Sequence, residues 1–276
     1  MFSKKTAILL LLIIGIGSLT KAQDSTRNNK SSYFKLSTSY LTNSVYNGRK
    51  DSVTLPYITP TIGYFDKSGF FVSGSLSYLA ATGNSRIDLF ALETGYDFTI
   101  SNKLSGGIYG SKYFYNNTST AVRSEMKGGL GGSVSYDPGF VTFSGGIDLS
   151  FSSKTDINIS GSLAHAFYLG DKEEWSITPT ISANLGTQNA YQDYIKKRRS
   201  KTGRSTTIPT NSSGNFGILD YELSLPTGYD GNKWGLFFTP TYAIPQNPIS
   251  ILTGSVTTTE KLGNSFYAEF GVFIKF

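Results

Sequence analysis

Apolar and polar residues alternate along almost the whole chain from residue 33 to residue 276. In "EWSITPTISANLG", the apolar Trp175, Ile181 and Leu185 occupy odd positions, and Ser, Thr and Asn occupy the even ones. Side chains of a β-strand point alternately to its two faces, so the pattern predicts strands with one apolar and one polar face. The runs "LPYITPTIGYF" and "WGLFFTPTYAI" repeat it, each with a proline on the apolar face.

Turn signals rich in Gly, Asn, Asp and Pro separate these runs at "DKSG", "SNK", "DPG", "GDKEE" and "PTGYDGNK" (226–233). Longer connections lie between them at 47–52, 81–85, 116–123, 153–156, 189–215 and 246–263. The positions of these turns and connections predict twelve strands: 33–46, 53–65, 69–80, 86–100, 104–115, 124–137, 139–152, 157–169, 174–188, 216–226, 234–245 and 264–276. Less regular alternation in 104–115 and 157–169 predicts a bulge in either strand.

The length of these strands favours a membrane. Most reach the roughly 9 to 11 residues that a tilted strand needs to cross a bilayer, whereas strands of soluble sheets average about 5 to 6. Short turns alternate with long loops, and an even strand number returns both termini to one side. The sequence therefore predicts an all-β fold, a closed antiparallel up-and-down transmembrane β-barrel of about 12 strands.

The N-terminus predicts export. Lys4 and Lys5 precede an apolar run from Ala7 to Ile16, and "TKA" ends at a cleavage site after Ala22. We expect a cleaved signal peptide over 1–22, a short periplasmic segment over 23–32 and the barrel over 33–276. Because the chain has no Cys, a lipid anchor at the cut, a disulfide framework and thiolate metal sites are all excluded.

Charge is concentrated in one place. Without the signal peptide, 22 basic and 19 acidic side chains leave a net charge of +3, and "IKKRRSKTGR" alone holds six of the basic ones. This segment lies in the predicted extracellular loop 189–215, where it would contact phosphates or carboxylates of lipopolysaccharide. The residues of this expected anion-contact surface are Lys196, Lys197, Arg198, Arg199, Lys201 and Arg204. A solvated flexible loop and a gate folded into the barrel mouth remain open. No aromatic residues interleave the run, so nucleic acid is not expected as a partner.

If the apolar faces meet lipid, the opposite faces line a polar lumen. The charges expected there are Lys35, Glu93, Asp97, Glu125, Lys127, Asp148, Asp220, Glu222, Glu269 and Lys275. They would either set the ion preference of a channel or pair with one another, and with Lys112, to fill the lumen. Twelve strands lie between the ~8 whose interior is packed and the ~16 that leave a wide pore.

The last strand carries a family resemblance. "EFGVFIKF" alternates Phe270, Val272, Ile274 and Phe276 to a terminal aromatic residue, and it resembles the C-terminal signal by which outer-membrane β-barrels are recognised for assembly. Together with the "KAQ" junction and "PYITPTIGYFDKSGFFVSGSLSYL", the chain resembles small porin-like barrels of the Bacteroidota. The resemblance implies a Gram-negative outer-membrane location, contact with outer-membrane lipids and the barrel assembly machinery, and no particular activity.

Three functions stay open. A narrow channel for passive passage of small solutes is preferred, and the alternative is a non-conducting structural or accessory subunit of an outer-membrane complex. The third is an outer-membrane lipid hydrolase, which would need a base such as the single histidine, His165. Ser160 and Ser162 face away from His165 on a regular strand, and one histidine cannot form a His-cluster metal site. We therefore predict no catalytic residues, no metal and no cofactor.

Overall fold

The computed structural model describes residues 31–50, 53–200, 215–253 and 256–276. Its main feature is one antiparallel sheet of twelve strands in which each strand pairs with the next along the chain. The last strand pairs with the first, with Lys275 opposite Lys35 and Glu269 opposite Leu41, so the sheet closes on itself. The predicted fold class, a closed up-and-down barrel, is confirmed. The predicted signal peptide 1–22, and residues 23–30 of the predicted periplasmic segment 23–32, lie outside the described residues.

The twelve barrel strands alternate in direction around the wall. Three of them, β8, β9 and β10, are each formed by two consecutive pieces. The strands are β1 (Tyr33–Leu41), β2 (Tyr57–Phe65), β3 (Phe70–Leu79), β4 (Arg86–Ser101), β5 (Leu104–Tyr115), β6 (Gly128–Tyr136), β7 (Thr142–Phe151), β8 (Thr155–Ala164 and Phe167–Leu169), β9 (Trp175–Ile177 and Thr180–Gly186), β10 (Gly217–Ser224 and Thr227–Asp230), β11 (Trp234–Pro245) and β12 (Ser265–Lys275).

The two ends of the barrel differ. At one end, which we call the turn end, short connections join β2 to β3, β4 to β5, β6 to β7, β8 to β9 and β10 to β11. At the other, the loop end, lie the remaining connections. Apart from the short one between β7 and β8 they are longer, and they contain the helix α1 (Asn189–Ser200), a 3-10 helix (Val122–Glu125) and two small hairpins. Those hairpins are Val45–Tyr46 with Arg49–Lys50, and Ser250–Thr253 with Val256–Thr259. No helix in the described part of the chain is long and apolar enough to cross a bilayer.

Several expected boundaries need correction. The segment 226–233 was expected to be a turn, but Thr227–Asp230 continues β10 and pairs with β11. The strand expected from residue 124 begins at Gly128, because Val122–Glu125 forms the 3-10 helix. β5 runs unbroken, and the irregularity lies in its partner β4 between Thr99 and Ser101.

Pro179, Pro226 and Pro240 lie on adjacent strands beside the aligned interruptions of β8, β9 and β10, whereas Pro60 lies within the unbroken β2. Proline has no N–H to donate to a sheet ladder, but its carbonyl still accepts. Here each of three proline carbonyls accepts a bond from the adjacent strand, which holds β8 to β11 together across the break. The bonds are His165 N–H to Pro179 (3.3 Å), Thr178 N–H to Pro226 (2.8 Å) and Leu225 N–H to Pro240 (3.1 Å).

The outer surface of the barrel is apolar. On nearly every strand the outward positions carry exposed aliphatic or aromatic side chains, such as Leu36, Ile62 and Ile108. Near the turn end, the Tyr229 ring lies between those of Trp175 and Trp234, tilted to both, at centroid distances of 5.1 and 4.8 Å. An apolar band bordered by aromatic residues is what a lipid-facing barrel wall requires.

Inside the wall, aromatic rings lie flat over glycines of neighbouring strands. The rings of Phe71, Phe237 and Phe273, all buried, occupy the space where a Cβ of Gly95, Gly271 and Gly235, respectively, would be. A Cβ on Gly95 would stand 2.5 Å from the Phe71 ring and 2.4 Å from the Ile108 carbonyl oxygen. These glycines therefore allow large rings to pack against the wall at the turn end.

We expect Gly95→Ala to destabilise the barrel by about 1–3 kcal/mol, because overpacking forces the strand or the ring to shift. Gly161→Ala is the matched control, since a Cβ on this β8 glycine meets nothing within 4 Å. Urea unfolding, followed by the gel-mobility difference between folded and unfolded barrel, measures both variants. Equal midpoints for the two would contradict the packing role of Gly95.

Candidate functional site

Four segments of the loop end pack into one apolar cluster over the barrel mouth. They are the two small hairpins, the 3-10 helix and α1, and we call them together the loop cap. The cluster contacts Tyr113, which faces inward from β5. The cap therefore reaches into the mouth. The buried members are Tyr46, Val122, Met126, Ala190, Tyr191, Tyr194, Ile249 and Ile251.

Arg49 joins three parts of the loop cap. Its guanidinium donates to the carbonyls of Gln246 (2.9 Å) and Asn247 (2.8 Å) and pairs with Glu260 at 3.3 Å. It also lies 5.0 Å from the centre of the Tyr191 ring on α1. The side chain of Arg49 is almost wholly buried, so these contacts are protected from solvent screening.

The Tyr191 hydroxyl completes this junction by donating to Glu260 at 2.5 Å. Burial, the Glu260 charge and this hydrogen bond together raise the pKa of Tyr191, and the hydroxyl stays a donor at neutral pH. Arg49, Tyr191 and Glu260 thus connect the first hairpin, α1 and the second hairpin. We call these three residues the cap junction.

The helix α1 was not expected within the loop 189–215. It begins where Asp156, at the start of β8, accepts bonds from the backbone N–H groups of Asn189 (2.7 Å) and Ala190 (2.8 Å). A carboxylate at a helix N-terminus satisfies free N–H groups and interacts favourably with the helix dipole. Ala190, Tyr191 and Tyr194 then lie on the face that packs into the cap. The barrel rim therefore anchors the helix.

The described basic residues of this segment lie on the last turns of α1. Lys197 donates to Glu125 at 2.7 Å, and Arg198 donates to the Tyr194 hydroxyl at 2.8 Å. Lys196 is 3.7 Å from Asp193. All three side chains are largely exposed. The side chain of Arg199, and residues Lys201 and Arg204, lie outside the described part.

The larger side of the lumen, formed by the eight strands β8 to β12 and β1 to β3, is filled by side chains. Asp220, Glu222 and Glu269 face inward here and are only 1%, 8% and 4% exposed. Asn184 donates to Asp220 at 2.5 Å, and Tyr267 donates to Glu222 at 3.0 Å. Hydrogen bonding of this kind offsets the cost of burying carboxylates. We call this part the filled half.

The wall formed by β4 to β7 is different. Its inward positions carry many glycines and serines, such as Gly131 and Ser133, and the inward acids Glu93, Asp97 and Asp148 are only half-buried. Since these residues point into the barrel, their exposure reflects space along this wall. We call it the open half. Towards the turn end the inward Ser105 and Ser135 are buried, which indicates that the space narrows there.

Hydrogen bonds position two of the acids of the open half. Ser111 donates to Glu93 at 3.2 Å, across the ladder between β4 and β5. The Tyr109 hydroxyl donates to Asp148, and the Tyr109 ring passes over Gly131, which lies between them. The lumen therefore has an acidic wall facing the space and a packed polar wall opposite.

Of the other four charges expected in the lumen, two face inward and two do not lie on a strand. Lys35 and Lys275 face inward at the turn end, where Lys275 pairs with Asp230 at 3.1 Å and Lys35 lies 4.5 Å from the centre of the Phe273 ring. Glu125 is in the 3-10 helix rather than on a strand, and Lys127 is an exposed residue just before β6. Neither lies on a strand because β6 starts later than the alternation suggested.

His165, the candidate base of a hydrolase, lies in the break between the two pieces of β8. Its ring packs edge-on against Phe167 with centroids 4.6 Å apart. No group of three or more metal-binding side chains occurs in the part of the chain described.

The residues of the expected assembly signal lie on β12. Phe270, Val272 and Ile274 point outward and are exposed, as is Phe276 just beyond the strand. The Phe276 N–H donates to the Phe34 carbonyl at 2.9 Å, so the end of the chain is paired with β1.

Comparison with known proteins shows likeness in architecture. No family model matches the sequence, and no curated protein is significantly similar to it. Among solved structures, the KdgM porin is similar at 10% identity and a TM-score of 0.48, over 88% of this chain and 99% of that one. The NanC porin is similar at 9% identity and a TM-score of 0.48, over 88% of this chain and 100% of that one. An outer membrane channel from Pseudomonas putida F1 is similar at 9% identity and a TM-score of 0.45, over 89% of this chain and 96% of that one. Such low identities and scores assign neither activity nor solute to this chain.

Arg49→Gln is expected to loosen the loop cap. Losing a hydrogen bond to a charged group costs about 1.5–3 kcal/mol, so the amides of α1 should exchange with solvent about tenfold faster or more. Hydrogen exchange with mass spectrometry measures this. Lys197→Gln removes an exposed ion pair of the same helix and should change exchange little. Equal effects of the two variants would contradict the role of Arg49.

Proposed function

We propose that this protein is an outer-membrane barrel that lets small solutes pass along the open half of its lumen, with the loop cap controlling entry. The observation that carries the proposal is the contrast between the two halves. One wall is packed with buried side chains, and the other exposes glycine, serine and three carboxylates to an internal space. A barrel serving only as a scaffold gains nothing from leaving one wall open.

The size of the passage fits small solutes. Twelve strands enclose more space than the ~8-stranded barrels that side chains fill completely, and less than the ~16-stranded porins. Here the filled half takes up part of that space, and the buried wall at Ser105 and Ser135 narrows it further. A passage of this kind selects by size and charge rather than admitting solutes freely.

The proposed location follows from chemistry at the surface. The apolar band and its aromatic residues suit a bilayer, and the exposed bases Lys196, Lys197 and Arg198 lie at the loop end. With the loop end outside, these residues would contact phosphate groups of lipopolysaccharide. The outward aromatic residues of β12 are proposed to be read by the barrel assembly machinery, as the resemblance of "EFGVFIKF" implies.

A second candidate function is a non-conducting accessory barrel of an outer-membrane complex. The specific observation in its favour is that the loop cap packs an apolar cluster over the mouth. Under this alternative, the cap would be a fixed structural element and the internal space a packing defect without a path. The two candidates therefore differ in whether the cap moves.

Single-channel recording in planar bilayers tests the proposal. Wild-type protein should conduct in brief openings, and Arg49→Gln and Glu260→Gln should each lengthen the open time because they weaken the cap junction. The exposed Lys197→Gln variant is the control and should behave as wild type. Silent bilayers for all variants, with folded protein verified by heat-modifiable mobility, would overturn the channel and favour the accessory barrel.

A cross-link provides a second measurement. Ser153, between β7 and β8, donates to Asp193 on α1, and the chain has no natural cysteine. We expect Ser153→Cys combined with Asp193→Cys to form a disulfide that ties α1 to the barrel rim and lowers conductance. Reduction should restore it. Unchanged conductance on oxidation, with the disulfide verified by mass, would contradict movement of α1.

A further inference from the structure

Unpartnered polar side chains lie on the lumen wall beside the open half. Asn158 and Ser160 face inward from β8, and Asn184 faces inward from β9. The strand register places Asn158 opposite Asp148 of β7, and Ser160 opposite both Gly146 of β7 and Asn184 of β9. The four side chains Asp148, Asn158, Ser160 and Asn184 thus form a continuous patch, which we call the acceptor strip.

The neutral members of the acceptor strip are buried without satisfying their hydrogen-bonding groups. Asn158, Ser160 and Asn184 are only 2%, 5% and 7% exposed. Within the described part of the chain, both amide atoms of Asn158, Oγ of Ser160 and Oδ1 of Asn184 have no hydrogen-bond partner. Buried polar atoms in folded proteins are nearly always paired, so a group of neighbouring exceptions calls for a reason.

The available atoms mostly accept hydrogen bonds. The Nδ2 donor of Asn184 is already used by Asp220, while its oxygen remains unpaired. Two amide oxygens and a hydroxyl oxygen therefore stand next to the Asp148 carboxylate. A solute that satisfies such a set needs several donors and a positive charge, because a charged donor makes the stronger hydrogen bond.

Basic side chains of the barrel do not compete for this place. Lys112 of β5 points outward and lies 5.7 Å from the centre of the Phe114 ring. Lys35 and Lys275 face inward at the turn end, where Lys35 lies over the Phe273 ring and Lys275 is paired with Asp230. Arg49 and Arg123 belong to the loop cap, so they would leave the mouth when the cap moves. The open half keeps Glu93, Asp97 and Asp148.

From this arrangement we infer that the solute is a small organic cation bearing N–H donors, a primary ammonium compound, which binds transiently to the acceptor strip on its way through the lumen. The inference rests on the proposed channel function and specifies its substrate class. Entry needs the cap to open, since the strip is buried in the structure. The carboxylates of the open half attract the cation. The amide and hydroxyl oxygens of the strip then replace water molecules that hydrate the cation.

Selectivity measurements in Arg49→Gln protein, whose cap is expected to open more often, test the inference. Reversal potentials in a potassium chloride gradient should show preference for the cation. Propylammonium and trimethylammonium are isomeric cations with three and one N–H donors, so their permeability ratio isolates hydrogen bonding from charge. We expect propylammonium to be preferred by about tenfold, the effect of one hydrogen bond to a charged donor.

Variants locate the effect. Asn158→Leu and Ser160→Ala, each added to Arg49→Gln, should lower the preference for propylammonium while leaving the preference for cations over chloride. Ser162→Ala, which changes a residue two positions along the same face of β8, is the matched control. It should retain both the preference for propylammonium and the preference for cations over chloride. Asp148→Asn should lower the cation preference itself and keep an acceptor for the Tyr109 hydroxyl.

The outcomes separate the two proposals. Current with no cation preference, or equal permeability for the isomeric cations, overturns the inference and leaves the channel in place. An isomer preference that Asn158→Leu and Ser160→Ala do not reduce also overturns it, because the strip is then not the binding site. Absence of current in the Arg49→Gln background removes the channel and the inference with it.

Discussion

The pairing of β12 with β1 is the constraint on which the rest of the structure depends. In hydrocarbon each unpaired backbone N–H or C=O is costly, so a sheet can cross a bilayer only if it closes. The register that sets Lys275 opposite Lys35 achieves this closure and fixes every side chain as outward or inward. The apolar outer surface, the polar lumen and the paired chain end at Phe276 all follow from it.

Closure leaves an interior that is partly filled by side chains and partly empty. The positions of the glycines determine which parts of the interior are filled. At the turn end, glycines on the wall make room for the rings of Phe71, Phe237 and Phe273. Along β6 and β7, the inward Gly129 and Gly146 have no aromatic ring among their nearest described neighbours, and the Glu93 and Asp148 carboxylates remain half-buried. The same residue type thus supports tight packing in one place and an open wall in another.

Much of the barrel was predictable because alternation is a local signal. β5 and β11 have the bounds that the pattern predicted, and residues such as Ile58, Ile62 and Ile181 point outward as expected. The loop cap was not predictable in this way. The N-terminus of α1 is fixed by Asp156, 33 residues earlier, and Arg49 meets Glu260 over 211 positions. No local sequence pattern predicts either contact.

The candidate site shows the same division. The inward direction of Glu93, Asp148 and Glu222 follows from strand period, but their different burial does not, because it depends on which side chains fill the facing wall. Lys112 was considered a partner for these acids, and its outward direction removes it. The prolines had no explanation from sequence. For Pro179 and Pro240, the aligned interruptions in β8, β9 and β10 supply one, which depends on the pairing of neighbouring strands.

The central claim is that the lumen has an open half and a filled half, and thiol labelling tests it most directly. Since the chain has no cysteine, a single cysteine can be placed by Ser133→Cys in the open half or by Ser182→Cys in the filled half. The account predicts that a small charged methanethiosulfonate reagent modifies the cysteine at position 133 in the folded, detergent-solubilised barrel and leaves that at position 182 unmodified until unfolding. Equal modification of both, or protection of position 133, would contradict it.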